Sequence, residues 1–312
     1  MKKAYCISEK FTPKAISIIE EHGIEFIENP SDKRPDEKEM IELLKEYDIL
    51  IIGNLSKITE RMIKYIDKPT IIATMSVGLD HIDKVFFESP FVKIVNIKLG
   101  NVISVAEHIF ALILALNKRI FESNQLTLEE KGHKDNIHEK PEEISNKILG
   151  LIGAGNITME VIRVAKVFGM KMKCYTKDPD KHKDLLEDHV EFVTLDEVLE
   201  QSDIINVSIP LNDETRNLIS KEKINLMKTT ATFINTSKPE VVDNEALIQY
   251  TDLYDTFYVG LDIDLDNYRE VFSKYRKNVI ITPHIAGVSK QASEKKSQEL
   301  ANNIVNVAAG FF

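Results

Sequence analysis

The stretch KILGLIGAGNITMEVIRVAKVFGMKMKCYT, residues 147–176, decides the fold. An apolar run ends at Gly153, Ala154 and Gly155, a segment of helical spacing follows, and a second run of strand character carries the chain to Thr176. Strand, glycine turn, helix and strand in that order are the context in which a Gly-x-Gly pair binds a dinucleotide. The first glycine permits the tight turn. The second lets the backbone approach a pyrophosphate, which then meets the unpaired N–H groups at the helix start, Asn156 and Ile157. The third position of the motif is Thr158, not glycine or alanine, which predicts a helix set slightly farther from the strand or packed differently.

At the end of the second strand an acidic residue normally binds the adenosine ribose and repels a 2′-phosphate. Thr176 stands there, followed by Lys177, with Lys181 and Lys183 beyond. A hydroxyl and nearby cations favour phosphate, so NADP is expected over NAD, whereas Asp178 argues for NAD if its carboxylate reaches the ribose.

Outward from this unit the same grammar recurs. Upstream lie IEFIE (24–28), DILIIG (48–53), TIIATM (70–75) and KIVNI (93–97). Downstream lie EFVTL (191–195), DIINVSIP (203–210), TATFINTS (230–237), YVGLDI (258–263) and NVIITPH (278–284). Short β-branched runs alternating with helical patterns are the signature of mostly parallel sheets, and two sheets are indicated. A helix is expected from Val102 to Ile120, then a polar surface segment from Glu122 to Asn146. His133 and His138 in that segment sit among charges without a ligand cluster, and no metal is expected.

A length of 312 residues favours two domains. The 43% hydrophobic and 29% charged shares are those of a globular chain. A net charge of -10 opposes attraction to nucleic acid and to anionic membranes. The apolar run EHIFALILALNKRI is about half the length of a bilayer span, so no membrane segment is expected. MKKAYCISEKF lacks the apolar core of an export signal, and a cytoplasmic protein is expected. Two cysteines, Cys6 and Cys174, make no disulfide framework and read as buried reduced thiols.

Several segments, in order along almost the whole chain, resemble the D-isomer-specific 2-hydroxyacid dehydrogenase family. They are SVGLDHID (76–83), NVISVAEHIFALILAL (101–116), GAGNI (153–157), SIPLNDET (208–215), INTSKPEVVDNEAL (234–247), GLDI (260–263) and ITPHIAG (281–287). The resemblance implies two Rossmann-like or flavodoxin-like parallel-sheet α/β domains with an active-site cleft between them. The substrate domain would be discontinuous, 1–98 and 287–312, and the dinucleotide-binding domain would be 99–286. It also implies a homodimer.

By the same resemblance His284 is the acid/base histidine, suited to proton exchange near neutral pH. Lys238 takes the place of the arginine that grips the substrate carboxylate, supplying charge without the two-pronged fork. Asn267 takes the place of the glutamate that raises the histidine's pKa, and Asp266 could substitute only through a shifted loop. The backbone at Val77 and Gly78, with Asn54 and Leu55 nearby, is implied to receive the carboxylate. Asp262 is implied as the partner of the nicotinamide amide, with Pro210 and Thr236 flanking the cofactor. The expected activity is hydride transfer between NAD(P)H and a small 2-keto or 2-hydroxy acid, of glyoxylate or hydroxypyruvate type or related. Thr158, Lys238 and Asn267, departing together, keep open a non-catalytic or regulatory dinucleotide-binding protein. An altered oxidoreductase like formate dehydrogenase is a third reading, which the histidine fits and the missing arginine does not.

Overall fold

The β-branched runs upstream and downstream of residue 102 become two parallel sheets of five and seven strands. In the computed structural model, residues 1–7, 11–31, 33–53, 55–129, 137, 140–182, 190–263 and 276–312 are described. The chain divides into one unit made of Met1–Asn101 with Ser289–Phe312, and a second made of Val102–Val288.

In the first unit the strands are β1 (Lys2–Cys6), β2 (Ile24–Glu28), β3 (Ile49–Ile52), β4 (Thr70–Thr74) and β5 (Val92–Asn96). They pair in the order β2-β1-β3-β4-β5, all parallel. The order reverses between β1 and β3, as in flavodoxin-like sheets. β3 and β4 are buried throughout, which is why ILII and TIIAT read as continuous apolar runs. β1 was not anticipated: KKAYC places lysines first, and only Ala4 and Cys6 are buried. Helix α1 (Pro13–Glu21) starts on a Thr12 cap, and α2 (Glu37–Glu46) on an Asp36–Glu39 capping box. The short α3 is Val85–Glu88. Ile19 of α1 packs with Ile71 and Val95 of the sheet and with Leu300 and Ile304, residues of the long carboxyl-terminal helix Lys290–Phe311. Each such aliphatic side chain contributes about 1.5–3 kcal/mol by leaving water.

The second unit holds β6 (Ile148–Ile152), β7 (Lys171–Tyr175), β8 (Val190–Phe192), β9 (Ile204–Val207), β10 (Thr232–Asn235), β11 (Tyr258–Asp262) and β12 (Val279–Thr282). Their order is β12-β11-β10-β9-β6-β7-β8. Counted from β6, its last six strands form the 3-2-1-4-5-6 arrangement of Rossmann sheets, extended by one strand, with the switch point between β6 and β9. α4 (Val102–Asn117) packs its buried face, including Ile109, Ile113 and Leu116, into one core; α6 (Asn156–Val167) contributes Val161 and Ala165 to the same cluster.

Two expectations are corrected. The helix expected to Ile120 ends at Asn117; Arg119 turns left-handed at φ 56, and α5 (Ile120–Leu128) begins a new helix in what was read as a surface connection. The break is held by the Arg119 guanidinium, which lies 3.5 Å from the Tyr258 ring centroid and donates to the Leu116 carbonyl at 2.6 Å. EFVTL is a strand only to Phe192, because Thr194 forms a capping box with Glu197 and starts the helix α7 (Leu195–Gln201).

Candidate active site

The glycine turn after β6 is built as its sequence requires. Gly153 sits at φ 104, and a Cβ there would lie 2.5 Å from the Ser208 carbonyl oxygen, so a side chain is excluded by both backbone and space. Its N–H donates to the Tyr175 carbonyl at 2.8 Å. Gly155 caps α6 with no side-chain hydrogen bond, and a Cβ on it would meet nothing within 4 Å. The space beside Gly155 is open and α6 starts at Asn156 and Ile157 with no side-chain cap, which fits a pyrophosphate.

Thr158 resolves the departure at the third motif position. It is fully buried, and its hydroxyl donates to the Gly153 carbonyl at 2.9 Å, tying the first turn of the helix to the glycine loop. Cys174, on β7 behind this loop, has its thiol pushed up to about 12 by burial and is inert. Cys6 is likewise buried and forms no disulfide.

Beyond β7 two of the cations expected to meet a 2′-phosphate, Lys177 and Lys181, are paired with carboxylates. Lys177 Nζ lies 2.7 and 2.6 Å from the two Glu214 carboxylate oxygens. Lys181 bonds Asp178 at 2.7 Å, and that hydrogen bond holds the Asp178 carboxyl below its usual range. All four side chains are substantially exposed. Thr176 is half-buried beside them.

At the other end of the sheet, consecutive strands deliver the remaining residues in a row along the carboxyl edge. Pro210 follows β9, Thr236 and Lys238 follow β10, Asp262 ends β11, and His284 follows β12. Pro210 is exposed, and its carbonyl accepts from the Thr215 hydroxyl at 2.6 Å. Lys238, half-buried, caps a single 3-10 turn, Pro239–Val241. His284 is held at φ 55, a left-handed conformation that costs a residue other than glycine on the order of 1–3 kcal/mol.

Asp262 holds that turn in place. It is 0% exposed; one carboxylate oxygen accepts from the Thr282 hydroxyl at 2.6 Å and the Ile285 N–H at 2.8 Å, and the other from the Ala286 N–H at 2.7 Å. His108 Nε2 reaches the Thr282 hydroxyl at 2.9 Å, and the Ser104 hydroxyl donates to the Ala286 carbonyl at 2.6 Å. A carboxylate has about four acceptor sites, so a nicotinamide amide would have to use the one left. Sequence reasoning missed Ser104, His108 and Thr282; the signal was there in the spacing of Ser104 and His108, one helical turn apart on α4.

In the first unit, Leu55 and Val77 are exposed after β3 and β4, and Gly78 is half-buried. Among the described residues, the N–H groups of Val77 and Gly78 find no acceptor. Asn54, Lys183, Asp266, Asn267, His133 and His138 lie outside the described residues. Among the described residues no group of His, Cys, Asp or Glu is arranged to hold a metal, and no helix is long and apolar enough to cross a membrane.

The profile of the D-isomer specific 2-hydroxyacid dehydrogenase NAD-binding domain matches residues 110–286. A hydroxypyruvate reductase of Thermotoga maritima is 32% identical over 274 residues, covering 86% of this chain and 87% of its own. Among solved structures, an acyclic imino acid reductase (Bsp5) in complex with NADPH and D-Arg superposes with a TM-score of 0.88 at 28% identity, covering 100% of this chain and 98% of its own. A D-lactate dehydrogenase from Aquifex aeolicus, complexed with NAD and lactic acid, gives 0.83 at 28% identity, covering 99% and 95%.

Proposed function

Because this chain belongs to the D-isomer specific 2-hydroxyacid dehydrogenase family, we propose that it reduces a small 2-keto acid, of glyoxylate or hydroxypyruvate type or related, to the 2-hydroxy acid. The observation that carries the reading is His284, kept in a strained left-handed turn by a fully buried carboxylate. A bound NAD(P)H supplies the hydride. Gly153, Gly155, Asn156 and Ile157 hold its pyrophosphate, with Pro210 and Thr236 flanking it. For the substrate carboxylate, the family resemblance points to the Lys238 ammonium as a counter-charge and to the Val77 and Gly78 N–H groups as donors, with Asn54 and Leu55 as further substrate-binding residues. His284 gives its proton to the carbonyl oxygen as the hydride arrives at carbon, and takes it back in the reverse direction. By the family resemblance, Asp266 or Asn267 would be the residue that orients the imidazole.

The unit of residues 1–101 and 289–312 supplies substrate contacts, and the unit of residues 102–288 holds the cofactor and carries Lys238 and His284. NADP is preferred: the exposed pairs at Lys177 and Lys181 are weak enough for a phosphate to displace their carboxylates. The working form is a homodimer. α5 supports this, because it buries no residue within the chain and shows Ile120, Phe121 and Leu128 at 53%, 60% and 77% exposure. A cytoplasmic setting is supported by two buried cysteines that form no disulfide.

The deciding experiment follows NADH and NADPH oxidation across glyoxylate, hydroxypyruvate, pyruvate and bulkier 2-keto acids. Tight cofactor binding with no turnover of any would overturn the enzymatic reading. A second reading has its own observation, the joint loss of the family's arginine at Lys238 and of its glutamate at Asn267. A protonated 2-imino acid brings its own proton and positive charge, so it needs neither a charged imidazole nor a strong cation beside the C=N bond. One similar structure is of an imino acid reductase. Ammonium or methylamine added to the same screen separates the two, since only imine reduction becomes amine-dependent. Lys238→Arg sharpens the result: activity on simple keto acids should rise in the first reading and fall in the second.

A further inference from the structure

The loop from Met75 to Gly78 leaves β4 with two backbone N–H groups unspent, and its anchors explain why. On one side the Ser76 N–H donates to the hydroxyl of Thr74, the last residue of β4, at 3.3 Å. That hydroxyl is fixed in turn by Nε2 of the buried His81 at 3.1 Å. On the other side Asn96, the last residue of β5 and the register partner of Thr74, donates from Nδ2 to the Val77 carbonyl at 2.9 Å. Asn96 is held from behind, where its own carbonyl accepts from Asn303 Nδ2 at 2.9 Å.

A trans peptide places its C=O and N–H on opposite sides, and no peptide bond here is cis. Fixing the Val77 carbonyl toward Asn96 therefore fixes the Gly78 N–H away from it. Together with the Val77 N–H this leaves two adjacent donors without an acceptor among the described residues, to which an anion can bind. We propose that Asn96 is a positioning residue for substrate: its amide holds the Val77–Gly78 peptide so that the loop's N–H groups receive the substrate carboxylate. This rests on the carboxylate-binding role given to Val77 and Gly78 above.

The test compares the wild type with Asn96→Asp, which keeps the shape of the side chain and replaces its N–H donor by a second oxygen facing the Val77 carbonyl. With NADPH bound, the keto-acid analogue oxamate is titrated while the amide signals of selectively 15N-labelled valine and glycine are followed. In the wild type the Val77 and Gly78 signals should move. In the variant oxamate affinity should fall about tenfold, the loss of one hydrogen bond's orienting effect, and KM for the keto acid should rise alike, with kcat and NADPH affinity unchanged. A merely structural role would instead lower the melting temperature and leave KM unmoved. Should the wild-type signals move while the variant binds oxamate as tightly, the assignment of Asn96 is wrong and the loop's role stands. Should oxamate inhibit the wild type without moving either signal, the loop's role falls and the assignment of Asn96 with it.

Discussion

The two ends of the seven-stranded sheet carry charge in opposite ways. Beside β12 the carboxylate of Asp262 is buried and accepts from two backbone N–H groups and one hydroxyl. Beyond β7 two carboxylates and two ammonium groups are exposed and paired with one another. Buried, hydrogen-bonded charge fixes backbone, because leaving any of its partners unsatisfied is expensive. Exposed pairs fix little and are screened. On the proposed reading, proton transfer, which needs geometry, belongs to the first end, and cofactor choice, which needs only the sign of local charge, to the second.

The largest effect should come from breaking the rigid end at its functional group. His284→Ala should lower kcat by about 10² to 10⁴-fold, the usual contribution of a positioned acid/base, and leave cofactor affinity unchanged by calorimetry. Turnover unaffected by this change would remove His284 from the mechanism. Asp262→Asn attacks the same turn one step back. An amide in place of the carboxylate points an NH2 group at donors it cannot accept from, an unsatisfied contact worth about 1–3 kcal/mol. If that falls on the reacting geometry, kcat drops about 5- to 160-fold, and melting temperature falls with it. A loss of stability with kcat intact would mean that the turn tolerates rearrangement.

Much of this contrast was legible before any coordinates. Gly153 and Gly155 between a strand and a helix foretold the tight turn into α6, and the buried β3 and β4 read plainly because strands covered on both faces are apolar throughout. β1 was not legible, since a five-residue strand beginning with two lysines has little apolar signal and owes its place to the pairing of β2 and β3 on either side. The break at Arg119 depends on Tyr258, far along the chain, and so did not show in the local pattern. Likewise the part Asp262 plays toward Ile285 and Ala286 exists only once β11 and β12 lie side by side. The sequence marked Asp262 as a site residue without revealing what its oxygens hold.

The exposed end should yield a smaller but cleaner change. Thr176→Asp combined with Lys177→Ala introduces a carboxylate that binds a ribose diol and repels a 2′-phosphate, and removes the cation now paired with Glu214. The ratio of NADPH to NADH dissociation constants should shift toward NADH by about tenfold, or ~1.4 kcal/mol, with little change in melting temperature. A wild-type preference for NADH would show that Asp178 or another acid already occupies the ribose position.

The smallest effect should be at Thr158, midway between the two ends, where a departure from the usual glycine is absorbed by structure alone. Its hydroxyl is buried and donates only to the Gly153 carbonyl, so Thr158→Val removes one hydrogen bond while keeping the side chain's shape. The Gly153 carbonyl then keeps only the Cys174 thiol, a weak donor at 3.8 Å. The cost should be about 1 kcal/mol, a fall in melting temperature of about 2–4 °C for a unit of this size. NADPH affinity should hold within about twofold, because the groups offered to the pyrophosphate are backbone N–H groups at the start of α6 and not this side chain. The opposite pattern, a large loss of cofactor affinity at unchanged melting temperature, would mean that the Thr158 hydroxyl turns toward the cofactor when it binds. The central loop would then belong with the adaptable end of the sheet, and the contrast between a rigid and an adaptable end would have to be redrawn at β6.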